Sequence, residues 1–244
     1  MSSDTKTMEE KYRTVWEKTL QNGQVALSDV LGSTFFFELN SDKTPKIVNG
    51  SAIPKRFDTY ALVCCLPFPE DFQKTLDDYW KHCMKLLGIP VSYGVESGNR
   101  HVEIFLFQRP EELFTKEQIK TGIEDSQTVS KTLSSFTISF RYPFMTPDGT
   151  IVAPGFETPS VIEPLRLTLQ ETLSTYPKKQ SQWLHTSLGR ILEPLDKTRI
   201  EPLLRDMEKN WGRVIGQVQV NTLLWTWEKQ WYMVDKEIIA TLKL

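Results

Sequence analysis

The order of predicted secondary-structure elements limits the fold of this chain more than any other feature, because it occurs twice. Each half reads as a strand, then an amphipathic helix, then a second strand reached through a loop. The six elements cover residues 58–66, 71–87, 100–107, 135–142, 160–175 and 182–192. No stretch rich in Gly, Ser or Pro separates the halves, so the sequence predicts one domain with two lobes.

The predicted fold class is α+β and bilobal. Two antiparallel-sheet lobes are related by the pseudo-twofold strand–helix–strand repeat, with the helices on the outside and a cleft between the lobes. Residues 1–50 are predicted to be an N-terminal extension packed on the core, and residues 51–244 the bilobal domain.

Further elements flank the repeat. The first ~22 residues predict an amphipathic helix with apolar side chains at Met8, Tyr12, Val15, Trp16 and Leu20. The other predicted elements are an aromatic strand over 34–39, a helix over 198–213, a closing aromatic hairpin of 218–227 with 231–234, and helix-capping boxes at Thr115 with Gln118 and at Ser160 with Glu163.

Composition and charge exclude several classes of protein. Hydrophobic residues make up 39% and charged residues 25% of the 244 residues, the balance of an ordinary globular protein. The net charge of -2, from 29 basic and 31 acidic side chains, excludes an overall basic surface of the kind that binds duplex DNA. The glycines form no phosphate-binding or dinucleotide-binding fingerprint, so neither ATP nor NAD is predicted as a ligand.

The cysteines and the N-terminal sequence indicate in which cellular compartment the protein is expected. Cys64, Cys65 and Cys83 are odd in number and form no CxxC pair, so we expect free thiols and neither a zinc site nor a disulfide framework. Charged residues stand where a signal peptide needs an apolar run, and no stretch approaches 18 apolar residues. We therefore expect a cytoplasmic protein, and nothing in the sequence requires more than a monomer.

Two of the three histidines fall at matching places in the two halves, each on the strand after the helix. Because residues i and i+2 of a strand share a face, His101 is expected to point the same way as Glu103, and His185 the same way as Ser187. The third histidine, His82, lies off the apolar stripe of its helix and is expected at the surface. The residues predicted to face the opposite, packed side are Val102, Ile104, Leu106, Leu184 and Leu188.

The segment His185-Thr-Ser-Leu-Gly-Arg190, together with the earlier strand that carries His101, resembles the 2H phosphoesterase superfamily. This family includes RNA 2′,3′-cyclic phosphodiesterases and carries two His-x-Thr/Ser motifs. The second motif is matched, whereas Glu103 stands where the first has a hydroxyl residue. The resemblance extends over about residues 55–240. It implies the bilobal fold, a reaction without cofactor or metal, and His101 and His185 as the acid–base pair.

The chemistry of phosphodiester hydrolysis accounts for such a pair. A base must activate water and an acid must protonate the leaving oxygen, and two imidazoles can do both near neutral pH without a metal. Ser187 would then donate a hydrogen bond to a non-bridging phosphoryl oxygen. Which histidine is the base stays open.

Glu103 does not fit this chemistry directly, because an ionised carboxylate cannot donate a hydrogen bond and repels phosphate. It would orient His101 or a water molecule, and would raise the pKa of the neighbouring imidazole. Alternatively, it marks a protein with a different substrate or one that has lost activity.

Three further residues are predicted to bind the substrate. Arg190 carries a guanidinium that matches phosphate, and Arg141 and Tyr142 end a strand of the second half. A surface position is the alternative for each of the three. An aromatic set near the C-terminus could stack on a base, but its alternation favours packing within a hairpin: Trp225, Trp227, Trp231 and Tyr232.

The leading functional hypothesis is a metal-independent phosphodiesterase that hydrolyses a cyclic 2′,3′-type or a 2′-linked phosphodiester of a nucleotide or RNA end. One alternative is a catalytically impaired protein of the same fold that binds nucleotides or RNA ends. Another is a protein-interaction domain in which both histidines are structural. The expected partner is a small nucleotide or an RNA end, with no membrane and no duplex DNA.

Overall fold

The structure, a computed structural model, describes residues 3–110, 112–173 and 176–244. The helices are α1 (Ser3–Asn22), α2 (Leu27–Ser33), α3 (Glu70–Leu86), α4 (Lys116–Ser130), α5 (Ile162–Thr172) and α6 (Lys197–Lys209). The strands are β1 (Ile47–Val48), β2 (Ser51–Ala52), β3 (Arg56–Cys64), β4 (Ser92–Gly94), β5 (Val102–Gln108), β6 (Phe136–Arg141), β7 (Phe144–Met145), β8 (Thr150–Thr158), β9 (His185–Ile191), β10 (Val214–Val220), β11 (Thr222–Gln230) and β12 (Asp235–Lys243).

Within the described residues, the strands form two main sheets. One has four strands in the order β12-β11-β3-β5, and the other has six, in the order β10-β6-β8-β9-β4 with β7 beside β8. All pairings are antiparallel, and β1 pairs with β2 as a separate hairpin. The prediction of an α+β fold with two antiparallel-sheet lobes is therefore confirmed.

The two sheets exchange strands between the halves of the chain. The four-stranded sheet combines β3 and β5 with β11 and β12, which come from the C-terminal end. The six-stranded sheet takes β4 from the first half, where Tyr93 pairs with Arg190 of β9. Each lobe is consequently built from segments that are far apart in the sequence.

Several local predictions are confirmed. Helix α1 covers the predicted N-terminal helix, and Tyr12 and Trp16 on its apolar stripe are buried. Helix α4 begins with the predicted capping box, in which Thr115 accepts a hydrogen bond from the Gln118 backbone and the Gln118 side chain accepts one from Thr115. Periodicity and capping chemistry are local properties, so the sequence alone predicts them.

The aromatic strand predicted over 34–39 is wrong. Residues Thr34–Phe36 form a 3₁₀ turn, and only isolated bridges follow, between Phe37 and Pro54 and between Leu39 and Pro45. Proline has no backbone N–H, so neither bridge can extend into a ladder at these positions.

The predicted closing hairpin is also wrong. The segment 218–227 breaks at Asn221, so that β10 joins β6 in one sheet and β11 joins β3 in the other. Residues Trp231–Met233 form a turn and not a strand, with Tyr232 and Met233 in the left-handed region (φ 63° and 57°). The true hairpin is β11 with β12.

The capping box predicted at Ser160 and Glu163 does not form. The side chain of Glu157 accepts hydrogen bonds from the backbone N–H groups of Val161 and Ile162 at 3.0 and 2.8 Å, and Ser160 donates to Glu157. A carboxylate on the preceding strand therefore satisfies the first N–H groups of α5.

Several predicted boundaries also shift. Helix α5 ends at Thr172, and the predicted end at Thr175 lies outside the described residues. The strand predicted over 182–192 is β9 (His185–Ile191), and the helix predicted over 198–213 is α6 (Lys197–Lys209).

The N-terminal segment packs against the core. The Tyr12 hydroxyl accepts a hydrogen bond from the Leu184 backbone N–H (3.0 Å) and donates to the Gly155 carbonyl (3.1 Å), which ties α1 to β8 and to the residue before β9. Gly50 lies in the turn of the β1–β2 hairpin, so the predicted boundary at residue 50 coincides with a tight turn; the division into two units stays a prediction. Among the described residues, no helix has the length and apolar character needed to cross a membrane.

Candidate functional site

A cavity of about 630 Å³ is lined by residues of both sheets. The four-stranded sheet contributes Glu103 and Glu228, with His101 just before β5. The six-stranded sheet contributes His185 and Ser187 of β9. The structure thus brings both predicted histidines, and the residue two positions after each, to one cavity.

His101 is held by its own loop. Its Nδ1 lies 2.9 Å from the backbone carbonyl of Asn99, and because a carbonyl can only accept, Nδ1 donates. This fixes the tautomer and leaves Nε2 without the hydrogen in the neutral ring. Burial lowers the pKa of His101; the Asn99 carbonyl opposes this by stabilising the charged ring, and the nearby Lys236 charge adds to the lowering.

His185 is the first residue of β9 and lies opposite Pro154 of β8. Its ring packs against Trp183, with the ring centroids 5.1 Å apart. Burial lowers the pKa of His185 to about 4, and the charges of His101 and Arg166 contribute to the lowering. The influence of His101 on this pKa is consistent with two imidazoles that share one cavity.

Ser187 follows His185 on the same face, as predicted. The pairing of β8 with β9 shifts at this point, since Val152 is opposite Ser187 while Ile151 is opposite Gly189. The extra residue, Leu188, is buried. The irregularity comes after the motif, so the alternation from His185 to Ser187 is undisturbed.

Glu103 also lines the cavity, and a bulge corrects one prediction made beside it. Leu62 of β3 is opposite Phe105 while Val63 is opposite Glu103, so Ile104 is an extra residue in β5. The bulge turns Leu106 to the cavity, although strict alternation placed it on the packed face. Burial raises the pKa of the Glu103 carboxyl.

Arg190 lies further along β9 and also lines the cavity. Its Nη2 forms an ion pair with Asp148 at 3.1 Å, and its guanidinium lies over the ring of Phe36, 4.8 Å from the centroid. Asp148 belongs to the turn that joins β7 to β8, in which the Gly149 N–H donates to the Thr146 carbonyl at 3.0 Å. The positive charge of Arg190 is therefore already neutralised within the protein.

Arg141 and Tyr142 are not brought to this cavity. Arg141 forms an ion pair with Glu9 of α1 at 2.9 Å and stacks on Phe156, and the Tyr142 hydroxyl donates to Asp206 in a separate cleft. The end of β6 lies beside β10, away from the other sheet. His82 lies in that separate cleft with 44% of its side chain exposed, which agrees with the predicted surface position.

Glu228 is one of the cavity residues that the sequence did not predict. It is opposite Thr59 of β3, and its carboxylate accepts a hydrogen bond from the backbone N–H of Met233 at 2.8 Å. Burial raises the pKa of Glu228 to about 8, and the nearby charge of Glu103 contributes to the increase. A signal was present, since Thr226 and Glu228 place polar groups at i and i+2 directly after the apolar run Leu223–Trp225.

The raised pKa of Glu228 makes a testable contribution to stability. The carboxyl pKa is about 8 in the folded protein and about 4.3 when unfolded, so the folded state holds the proton more tightly and loses stability as the pH rises between these values. We expect the stability of Glu228→Gln relative to the wild type to increase by roughly a few kcal/mol as the pH rises from 5 to about 9, and to level off once the folded carboxyl is fully ionised. Urea unfolding at each pH measures the difference.

The matched control for this comparison is Glu171→Gln, at an exposed position of α5. Its stability relative to the wild type should not vary with pH. A Glu228→Gln variant whose relative stability is equally constant would contradict a protonated carboxyl at this position.

Across residues 3–110, 112–173 and 176–244, no group of three or more His, Cys, Asp or Glu side chains is arranged to hold a metal ion. The cysteines Cys64, Cys65 and Cys83 are free thiols.

Solved structures similar to this chain share its arrangement of sheets and helices. TT0787 of Thermus thermophilus aligns with a TM-score of 0.54 and 11% identity over 76% of this chain and 97% of that one. Escherichia coli LigT, in complex with phosphate, aligns with a TM-score of 0.51 and 10% identity over 78% and 99%. In sequence, no family model and no curated protein matches the chain. At these identities the likeness establishes the fold alone.

Proposed function

The chain has the bilobal fold of the 2H phosphoesterases, to which TT0787 and LigT belong, and from this premise we propose that it is a metal-independent phosphodiesterase. Its substrate is a cyclic 2′,3′-type or 2′-linked phosphodiester of a nucleotide or RNA end. The observation that supports this best is the meeting of His101, His185 and Ser187 in one cavity, because the two histidines come from different sheets.

The surroundings of the two imidazoles favour one assignment of roles. His185 has its pKa lowered to about 4, so it is neutral at physiological pH and suited to accept a proton from water. The Asn99 carbonyl stabilises the charged form of His101, which makes that ring the better proton donor. We assign His185 as the base, His101 as the acid, and Ser187 as a hydrogen-bond donor to a phosphoryl oxygen.

The size of the cavity and the known ligands of one neighbour support a nucleotide as substrate. A cavity of about 630 Å³ lies within the range of small-molecule sites. LigT has been solved with phosphate and with 3′-AMP, the latter structure aligning with a TM-score of 0.50. A cytoplasmic location and a monomeric state stay predictions.

The direct test is incubation with nucleoside 2′,3′-cyclic phosphates in the presence of a metal chelator. We expect one phosphodiester bond to be hydrolysed and a nucleoside monophosphate to appear, at a rate that the chelator does not change. Loss of turnover on chelation, or no turnover with any of these nucleotides, would contradict the proposal.

The pH dependence of kcat/KM follows from the two assigned roles. The base His185 must be neutral, which requires a pH above about 4, and the acid His101 must be protonated, which requires a pH below a pKa that lies under the ordinary 6.5. We therefore expect a bell-shaped profile with its maximum on the acidic side of 6.5 and a decline at neutral and higher pH. A maximum above pH 7 would contradict these roles.

Glu103 favours a second candidate function, a protein of this fold that binds nucleotides or RNA ends without hydrolysis. Its carboxyl occupies the cavity, and no described residue donates a hydrogen bond to it. The Arg166 guanidinium contacts the backbone carbonyl of Glu103 at 3.3 Å and not its carboxyl group. Binding of a cyclic nucleotide without turnover in the same assay would select this candidate.

A further inference from the structure

The N-terminal segment joins the two sheets at one end of the cavity. Phe37 is buried, and its ring contacts Tyr93 of β4 and Tyr232 after β11, with centroid distances of 5.3 and 5.8 Å. Backbone hydrogen bonds continue this connection. The Lys55 backbone N–H donates to the Phe36 carbonyl at 2.9 Å, and the Trp231 backbone N–H donates to the Lys55 carbonyl at 3.0 Å. Residues 36–55, which we call the clasp, therefore contact both lobes.

The clasp also supports Arg190. The ring of Phe36 stacks on Trp231 with centroids 4.5 Å apart and an interplanar angle of 12°. The Arg190 guanidinium lies over the same Phe36 ring, and Asp148 holds its Nη2. A guanidinium that rests on an aromatic face and is tied by an ion pair has little rotational freedom.

Two buried hydrogen-bond donors have no acceptor at this end of the cavity. Within the described residues, no acceptor is placed for Nε of Arg190 or for the hydroxyl hydrogen of Tyr232, whose oxygen faces the donor side chains of Arg190 and Trp231. Both Arg190 and Tyr232 line the cavity and are buried. Leaving a buried donor unsatisfied is unfavourable, because the group has lost its hydrogen bonds to water without gaining others. Such groups at the wall of a cavity indicate a ligand that accepts hydrogen bonds from them.

The backbone around Tyr232 is held in an unfavourable conformation. Tyr232 and Met233 are consecutive non-glycine residues with positive φ, a region that residues with a side chain rarely adopt. Glu228 accepts from the Met233 N–H, and Lys236 donates to the Met233 carbonyl at 3.0 Å. These two side chains stabilise the turn that directs the Tyr232 ring to the cavity.

The two donors, Arg190 Nε and the Tyr232 hydroxyl, contact a different part of the ligand from the two histidines. Arg190 lies five residues beyond His185 on β9, which at the rise of a strand separates their backbones by about 16 Å. Asp148 neutralises Arg190, so this end of the cavity favours an uncharged acceptor over a second phosphate. The part of a nucleotide that carries uncharged carbonyl oxygens and ring nitrogens is the base.

We propose that Phe36 positions Arg190, and that Arg190 Nε and the Tyr232 hydroxyl donate hydrogen bonds to an acceptor on the edge of the nucleobase. This inference rests on the proposed function, because it takes the ligand to be a nucleotide whose phosphate lies at the histidines. The clasp is then part of the binding site, with Phe36 as a positioning residue.

The experiment compares the affinities of adenosine 2′,3′-cyclic phosphate and ribose 2′,3′-cyclic phosphate, which lacks the base. Calorimetry is done with the His185→Ala variant as background, so that neither ligand is consumed. We expect the ligand with the base to bind at least about tenfold more tightly, and Tyr232→Phe to reduce this ratio about fivefold, the effect of one hydrogen bond. Phe36→Ala should reduce the ratio similarly, and Phe36→Tyr, which keeps the ring, should restore it.

Each possible result supports or overturns the inference. An unchanged ratio in Tyr232→Phe, with thermal melting showing a folded protein, would overturn it. A second overturning result concerns a ligand that also carries a 5′-phosphate. If this phosphate increases the affinity and Tyr232→Phe abolishes the increase, the two donors bind a second anion and not the base. Base-dependent binding without turnover in the wild-type protein would refute the proposed function alone, and failure of both ligands to bind would refute both.

Discussion

Replacing His185 by alanine is expected to reduce kcat/KM for nucleoside 2′,3′-cyclic phosphates by about 10²–10⁴-fold, the contribution typical of a general acid or base. The imidazole is neutral at physiological pH because burial lowers its pKa, and the alanine side chain has no group that could accept the proton of the attacking water. Turnover is measured with a chelator present, so that contaminating metal-dependent enzymes do not contribute.

The matched control is His82→Ala. This histidine is exposed and contacts Asp206 at 3.2 Å in a separate cleft that the cavity does not include. Its replacement should leave kcat/KM close to that of the wild type. Wild-type turnover in His185→Ala would show that the two-histidine assignment is wrong.

The largest expected effect on stability is that of Trp16→Ala in α1. The indole is fully buried, stacks on Trp211 with centroids 5.8 Å apart, and its Nε1 donates to Glu208 of α6. Removing a buried tryptophan costs about 3–5 kcal/mol, since the apolar surface is lost and a cavity remains. Urea unfolding of the full chain measures the loss.

Phe35→Ala serves as the control for this substitution, because it removes an aromatic ring that is 54% exposed. We expect its free energy of unfolding to lie within about 0.5 kcal/mol of the wild-type value. If Trp16→Ala has an equally small effect, α1 is not an integral part of the folded core.

Features of the fold that depend on neighbouring residues could be predicted from the sequence. The repeated order of strand, helix and strand indicates two lobes, and alternation along a strand brings Ser187 to the face of His185. The capping box at Thr115 is also a local pattern, complete within four residues. The two histidines could be paired because both lie at the same step of the repeat.

Features that depend on contacts between distant segments could not be predicted in this way. Leu106 faces the cavity because of a bulge opposite β3, and Glu228 does so because β11 joins the sheet of the first half. Phe36 contacts Arg190 because the clasp packs against both lobes. The two bridges of the clasp involve prolines, so its sequence has no strand pattern. No sequence pattern indicates the position of Arg141, which lies beside α1 because of tertiary packing.

The exchange of strands between the lobes has a consequence for synthesis on the ribosome. Strand β3 (Arg56–Cys64) lies between β5 and β11, and β11 (Thr222–Gln230) belongs to the other half of the sequence. One edge of β3 therefore stays unpaired until β11 has been translated. Pairing across such a long sequence separation is slow, and an open strand edge can pair with another chain. The nascent protein is expected to need protection from aggregation until the β11–β12 hairpin emerges.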